Sequence, residues 1–135
     1  MNKVINKITP ETVLQINNIL RSLGLKTSNT GTKIINKTIQ YVIKYDIEFI
    51  TLDDIFKVIA NEYGLNVNTI RNNVSNALAN RNIHLSKTNF EKIFGYEYFE
   101  KNFEPKVFIE ELSTLLKQWC CNIRYTIESI NSHIY

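Results

Sequence analysis

Apolar residues recur at helical spacing along the chain, and the clearest such segment lies between residues 51 and 63. Ile55, Ile59 and Tyr63 follow one another at intervals of four residues, which places them on one face of a helix. Thr51 precedes them as a candidate N-cap, and Gly64 follows as a residue that commonly ends helices. The pattern therefore predicts a helix that begins after Thr51 and ends at Gly64.

A second helix is predicted directly after this stop, because Asn66 is a favourable N-cap residue. Its apolar residues again recur at helical spacing: Val67, Ile70, Val74, Ala77 and Leu78. The two predicted helices are joined by only three residues, so they must pack closely on each other. Caps, apolar faces and the short turn together predict a helix-turn-helix motif.

The opposite face of the second predicted helix is polar and rich in asparagine. Seven of the seventeen residues from 66 to 82 are asparagine, against eighteen in the whole chain of 135, although asparagine is a poor helix former. A carboxamide matches the hydrogen-bonding edge of adenine, and a guanidinium matches guanine or a phosphate. We predict a face that reads bases in the major groove, the alternative being a solvated polar face. The candidate base-reading residues are Asn68, Arg71, Asn72, Ser75 and Asn76.

Candidate contacts to DNA phosphates come from several segments of the chain. Lysines 33 and 37 lie on the outer side of a helix predicted from about Thr32 to Tyr45, and a solvated face is the alternative for them. The full set of candidate phosphate contacts is Asn66, Lys33, Lys37, Arg81 and Lys87.

The remaining segments complete an all-helical chain. Residues 1–8 are predicted to form an N-terminal arm, and Thr9 with Pro10 starts a helix that runs to about Ser22. Ser86 is predicted as the N-cap of a short helix, and residues 97–104 as an irregular loop. Pro105 starts an extended C-terminal helix. We predict that residues 9–116 form one helix-turn-helix DNA-binding domain.

The last helix carries an apolar repeat of seven residues, from Ile109 through Leu116 and Ile123 to Ile130. Such a repeat fits either an interface between two helices or the core of a single chain. We predict that residues 117–135 form a helical extension that takes part in homodimer formation. The candidate self-association residues are Leu116, Trp119, Ile123, Ile127 and Ile130.

The composition supports a single helical domain, and the distribution of charge favours nucleic acid over a membrane as its partner. The chain is 44% hydrophobic, with twenty isoleucines but only four glycines and two prolines, and its net charge is +3. Residues 1–82 carry ten Lys or Arg against six acids, and residues 83–135 carry six against seven, so the basic first part is the better nucleic-acid partner. No apolar run suggests a membrane partner, and we expect a cytoplasmic protein.

The sequence shows no recognisable catalytic or metal-binding motif. Cys120 and Cys121 are adjacent and far from both histidines, so no metal-ligand spacing arises. No catalytic triad, phosphate-binding loop or paired carboxylates were found. We therefore expect no catalytic residue, no metal and no cofactor.

Taken together, these segments resemble the C-terminal DNA-binding domain of the stage-zero sporulation protein A family of response regulators. The similarity runs from about Ile16 to Leu116. It is carried by residues 19–24 (ILRSLG), Gly31, Phe56 with Ile59 and Ala60, the capped second helix of the motif, residues 94–96 (FGY), and Pro105 ahead of Phe108 and Ile109. The resemblance implies a six-helix bundle that regulates transcription, with RNA polymerase or a sporulation regulator as candidate protein partners.

The chain also departs from that family. The family usually carries Val-Glu-Arg-Ala-Ile-Arg in its recognition helix, where residues 70–75 here read IRNNVS. The family's target sequence therefore does not carry over, and the asparagines predict an A/T-richer site. Without a receiver domain, we expect no phosphorylation switch. The alternative function is a protein-interaction module, such as an antagonist of a sporulation regulator, that has lost DNA binding.

Overall fold

A computed structural model describes residues 8–45 and 51–118, and all regular secondary structure within these residues is helical. This confirms the predicted all-α bundle. A sixth helix, α6, begins at Pro105 and continues to the last described residue, 118. The earlier elements are α1 (Pro10–Ser22), α2 (Thr30–Tyr45), α3 (Leu52–Tyr63), α4 (Val67–Ala79), α5 (Ile83–Phe94) and a short 3-10 helix (Glu100–Phe103).

The ends of α3 and the start of α4 are fixed by the residues that the sequence indicated. Thr51 and Asp54 form a reciprocal capping box at the start of α3, with each side chain accepting the other residue's backbone N–H. Gly64 ends α3 in the left-handed conformation, with φ of 65°, which costs a glycine little. The Asn66 side chain accepts the backbone N–H of Asn68 at 2.7 Å. The two helices and their three-residue turn are therefore as predicted.

Helix α2 lies at the centre of the bundle and packs against α1, α3 and α4. Three of its isoleucines, Ile34, Ile35 and Ile39, are completely buried. Gly31 lets α4 approach closely, because a Cβ atom placed there would lie 2.0 Å from the backbone oxygen of Asn73. The inner face of α4 is thus held directly on the central helix.

The start of α5 differs from the prediction. The N-cap is Asn82, whose side chain accepts the backbone N–H of Leu85 at 3.2 Å, and not Ser86. Ser86 lies inside the helix, completely buried, and its hydroxyl donates to the backbone oxygen of Leu23 at 2.5 Å. Its polar side chain therefore joins α5 to the end of α1.

The predicted self-association stripe is corrected at its first position. Leu116 is 1% exposed and belongs to the hydrophobic core, as do Ile109 and Leu112, so this part of α6 covers the core of the single chain. The predictions for Trp119, Ile123, Ile127 and Ile130 lie outside the described residues, as do those for residues 1–7 of the N-terminal arm.

Candidate nucleic-acid interface

The outer face of α4 is polar from Asn68 to Asn76. Asn68, Asn72, Ser75 and Asn76 are all exposed, and they lie opposite the buried residues Ile70, Val74, Ala77 and Leu78. In the described part of the chain, the side chains of Asn72, Ser75 and Asn76 form no hydrogen bond. Their donors and acceptors therefore point to solvent, as a base-reading face requires.

Arg71, the fifth candidate base-reading residue, lies at the flank of this face and is held by two partners. Its Nε donates to Oδ1 of Asp53 at 3.0 Å, and its Nη1 donates to Oδ1 of Asn68 at 2.7 Å. The Arg71 side chain is 40% exposed and that of Asp53 is 56% exposed. The guanidinium is thus both accessible and fixed in direction.

The candidate phosphate contacts are not equally available. Lys33 and Lys87 are exposed, and the ammonium of Lys37 lies 5.5 Å from the centre of the Tyr41 ring, where the electron-rich face attracts a cation. Asn66 is exposed, but its side-chain oxygen caps α4. Among these, the lysines are the side chains best suited to a phosphate.

Arg81 does not belong to this set. It is only 6% exposed, and its guanidinium lies 3.7 Å from the centre of the Phe103 ring. Its nitrogens donate to the backbone oxygen of Leu78 at 2.8 Å, to the hydroxyl of Tyr98 at 2.9 Å and to Glu100 at 3.0 Å. A guanidinium that is buried and bonded in this way is not available to DNA, so the phosphate contact predicted for Arg81 is wrong.

The residues around Arg81 form a polar cluster that the sequence reading missed. We call this set the Arg81 cluster; it consists of Arg81, Ser86, Tyr98, Glu100 and Phe103. The hydroxyl of Tyr98 also donates to Glu100. This bond and the guanidinium hold the pKa of the Glu100 carboxyl below its ordinary value, whereas burial raises the pKa of Tyr98. The cluster joins the end of α4 to the 3-10 helix.

A sequence signal for this cluster is difficult to find. Arg81 is followed by its partners only after five, seventeen and nineteen residues, and these spacings match no helical period. The aromatic residues between positions 94 and 103 are the one sequence feature that indicates such a cluster, since arginine side chains stack on aromatic rings.

No protein-family model, curated protein or solved structure matched the chain. The resemblance to the sporulation regulators therefore rests on the sequence motifs alone.

The described part of the chain holds neither a cluster of metal ligands nor a membrane-spanning helix. No group of three or more His, Cys, Asp or Glu side chains is placed to hold a metal ion. Within the same residues, no helix combines the length and the apolar character needed to cross a bilayer.

Proposed function

We propose that the protein binds double-stranded DNA through the outer face of α4 and acts as a sequence-specific regulator. The observation that carries this proposal is the row of exposed amide and hydroxyl side chains at Asn68, Asn72, Ser75 and Asn76, on a helix whose other side is firmly packed. Helix α4 has 13 residues and is therefore roughly 20 Å long. A helix of this size fits the major groove, which is about 12 Å wide.

The chemistry of the face favours adenine. Asn72 and Asn76 have free carboxamides in the described structure, and each can pair with the N6 and N7 edge of an adenine. Lys33 and Lys87 are exposed cations outside α4 that would supply phosphate contacts. The target is therefore expected to be A/T-rich, and binding should weaken as the salt concentration rises.

Fluorescence anisotropy with A/T-rich and G/C-rich duplexes tests this proposal. Binding is expected at about 50 mM salt and should fall steeply by about 200 mM. The N72A/N76A double variant should lose the preference for the A/T-rich duplex. The matched control is N18A, which removes an exposed asparagine from α1 and should bind as the unaltered protein does. Absence of binding at both salt concentrations would contradict the proposal.

One observation favours a second function, that of a protein-interaction module. Arg71 is the one cationic residue within α4, and it is already paired with Asp53, so the face itself carries little free positive charge. An uncharged face rich in amides also suits a protein partner. Failure to bind any duplex, combined with specific capture of a sporulation regulator, would favour this antagonist function.

The resemblance to sporulation regulators supports transcription as the process that is regulated. We propose DNA binding by the single chain, because Leu116, the one described candidate for self-association, is buried in its own core.

A further inference from the structure

We propose that Asp53 is a positioning residue, which fixes the guanidinium of Arg71 so that α4 reads a guanine within its A/T-rich target. This inference rests on the proposed DNA binding and adds a specificity determinant to the same site. Asp53 lies in the first turn of α3, outside the predicted recognition helix, and reaches Nε of Arg71 at 3.0 Å.

The pair contributes little to the stability of the fold. Both side chains are substantially exposed, at 40% for Arg71 and 56% for Asp53, and exposed ion pairs stabilise proteins weakly. Asp53 is also unnecessary as a cap, since Thr51 and Asp54 form the capping box of α3. What the contact does provide is a defined direction for a long and otherwise mobile side chain.

The geometry leaves the guanidinium ready to donate to an acceptor beyond the helix. An arginine side chain has five N–H donors, and two of them are used here, by Asp53 and by Asn68. The other donors have no partner within the described residues. Guanine presents two adjacent acceptors, N7 and O6, in the major groove, and a guanidinium pairs with both of them.

The charge of Asp53 distinguishes a base contact from a phosphate contact. A carboxylate beside Arg71 offsets its positive charge and repels a nearby phosphate. The same carboxylate strengthens a base contact, because an arginine that is already ordered loses less side-chain entropy when it binds. Arg71 paired with Asp53 is therefore better suited to a base edge than to the DNA backbone.

Substitution of Asp53 and of its neighbour provides a matched test. D53N and D54N each remove one negative charge from the first turn of α3, but only Asp53 contacts Arg71. Binding-site selection with the unaltered protein would first identify its target. The affinities of all three proteins would then be measured for targets that carry each of the four bases at each position, and thermal unfolding would be recorded in parallel.

D53N is expected to reduce the preference for guanine at one position by about two- to fivefold, the fold-change that corresponds to the weak energy of an exposed ion pair. Its affinity for non-specific duplex should stay equal or rise, since a negative charge has been removed. D54N should keep the preference for guanine, and R71A should lose it. Adding D53N to R71A should have no further effect on base preference.

Several results would overturn this inference. If the unaltered protein prefers no guanine, or if D53N keeps the full preference, Asp53 does not position Arg71, although DNA binding itself would stand. If D54N lowers the preference as much as D53N does, charge alone is responsible. If the unaltered protein binds no duplex, the proposed function and this inference fail together.

Discussion

Two arginines that lie ten residues apart in the sequence have opposite environments. The Arg81 side chain is 3% exposed and stacks on Phe103, whereas the Arg71 side chain is 40% exposed and bonds to Asp53 and Asn68 on the surface. Both are ion-paired, Arg81 with Glu100 and Arg71 with Asp53. An ion pair therefore does not by itself identify the role of an arginine. Burial and aromatic contact make Arg81 structural, and exposure makes Arg71 available to a ligand.

The largest expected effect comes from removal of Arg81. R81A should lower the free energy of unfolding by about 3 kcal/mol, because it removes the buried guanidinium's hydrogen bonds to Leu78 and Ser86 and its stacking on Phe103. Urea denaturation followed by circular dichroism measures this change. R81K keeps the charge but loses the planar stacking on Phe103, so it should recover only a small part of the loss. A change no larger than that of R71A would contradict the structural role of Arg81.

The next largest loss of stability is expected from a substitution at Gly31, which contacts the inner face of α4. In an ordinary helix, Gly→Ala stabilises by up to about 1 kcal/mol. At Gly31, however, the new Cβ would lie 2.0 Å from the backbone oxygen of Asn73, so α2 and α4 must separate. We expect G31A to destabilise by about 1–3 kcal/mol, as overpacking does. Urea denaturation of G31A shows whether the free energy of unfolding falls or rises, and K33A provides an exposed control on the same helix. A G31A variant more stable than the unaltered protein would refute the close contact between α2 and α4.

A smaller loss of stability is expected when the pH is lowered. The pKa of Glu100 is lowered from its ordinary value of 4.5 by the Tyr98 hydroxyl and by Arg81. Its contribution to stability is therefore present above pH 4.5 and is lost as the pH falls through the lowered value. E100Q should show a flatter decline of unfolding free energy below pH 4.5 than the unaltered protein does. Equal slopes for the two proteins would show that the Arg81 cluster does not perturb Glu100.

The smallest effect on stability is expected for Arg71. R71A should change the free energy of unfolding by no more than about 0.5 kcal/mol, because its ion pair is exposed. If Arg71 reads a base, the same substitution should also leave the salt dependence of DNA binding nearly unchanged, whereas loss of a phosphate contact reduces that slope by about 1. Anisotropy titrations at several salt concentrations distinguish the two cases.

Much of the fold could be predicted because its determinants are local. Thr51, Asn66 and Gly64 act on backbone groups within one helical turn, and the buried isoleucines follow the helical period. The prediction of Ser86 as N-cap was wrong because Asn82, four residues earlier, caps α5 in its place. Nothing local shows that the Ser86 hydroxyl bonds to Leu23, which lies 63 residues away.

The candidate site was predictable to a similar degree. The helical period predicts which residues of α4 are exposed, and Asn68, Asn72, Ser75 and Asn76 are exposed in the structure. That period ends with α4 at Ala79, so it could not predict the direction of Arg81. The ion-pair partners of Arg71 and Arg81 lie 18 and 19 residues away on other elements, and only the packing of the bundle brings them together.

The most direct test of the account is an NMR titration of the protein with an A/T-rich duplex. The side-chain amide signals of Asn68, Asn72 and Asn76 report on the outer face of α4, and that of Asn18 on α1 provides an internal reference. We predict that the α4 signals shift together on addition of DNA while the Asn18 signal stays in place. Shifts confined to other helices, with the α4 signals unmoved, would contradict the proposal that this face contacts DNA.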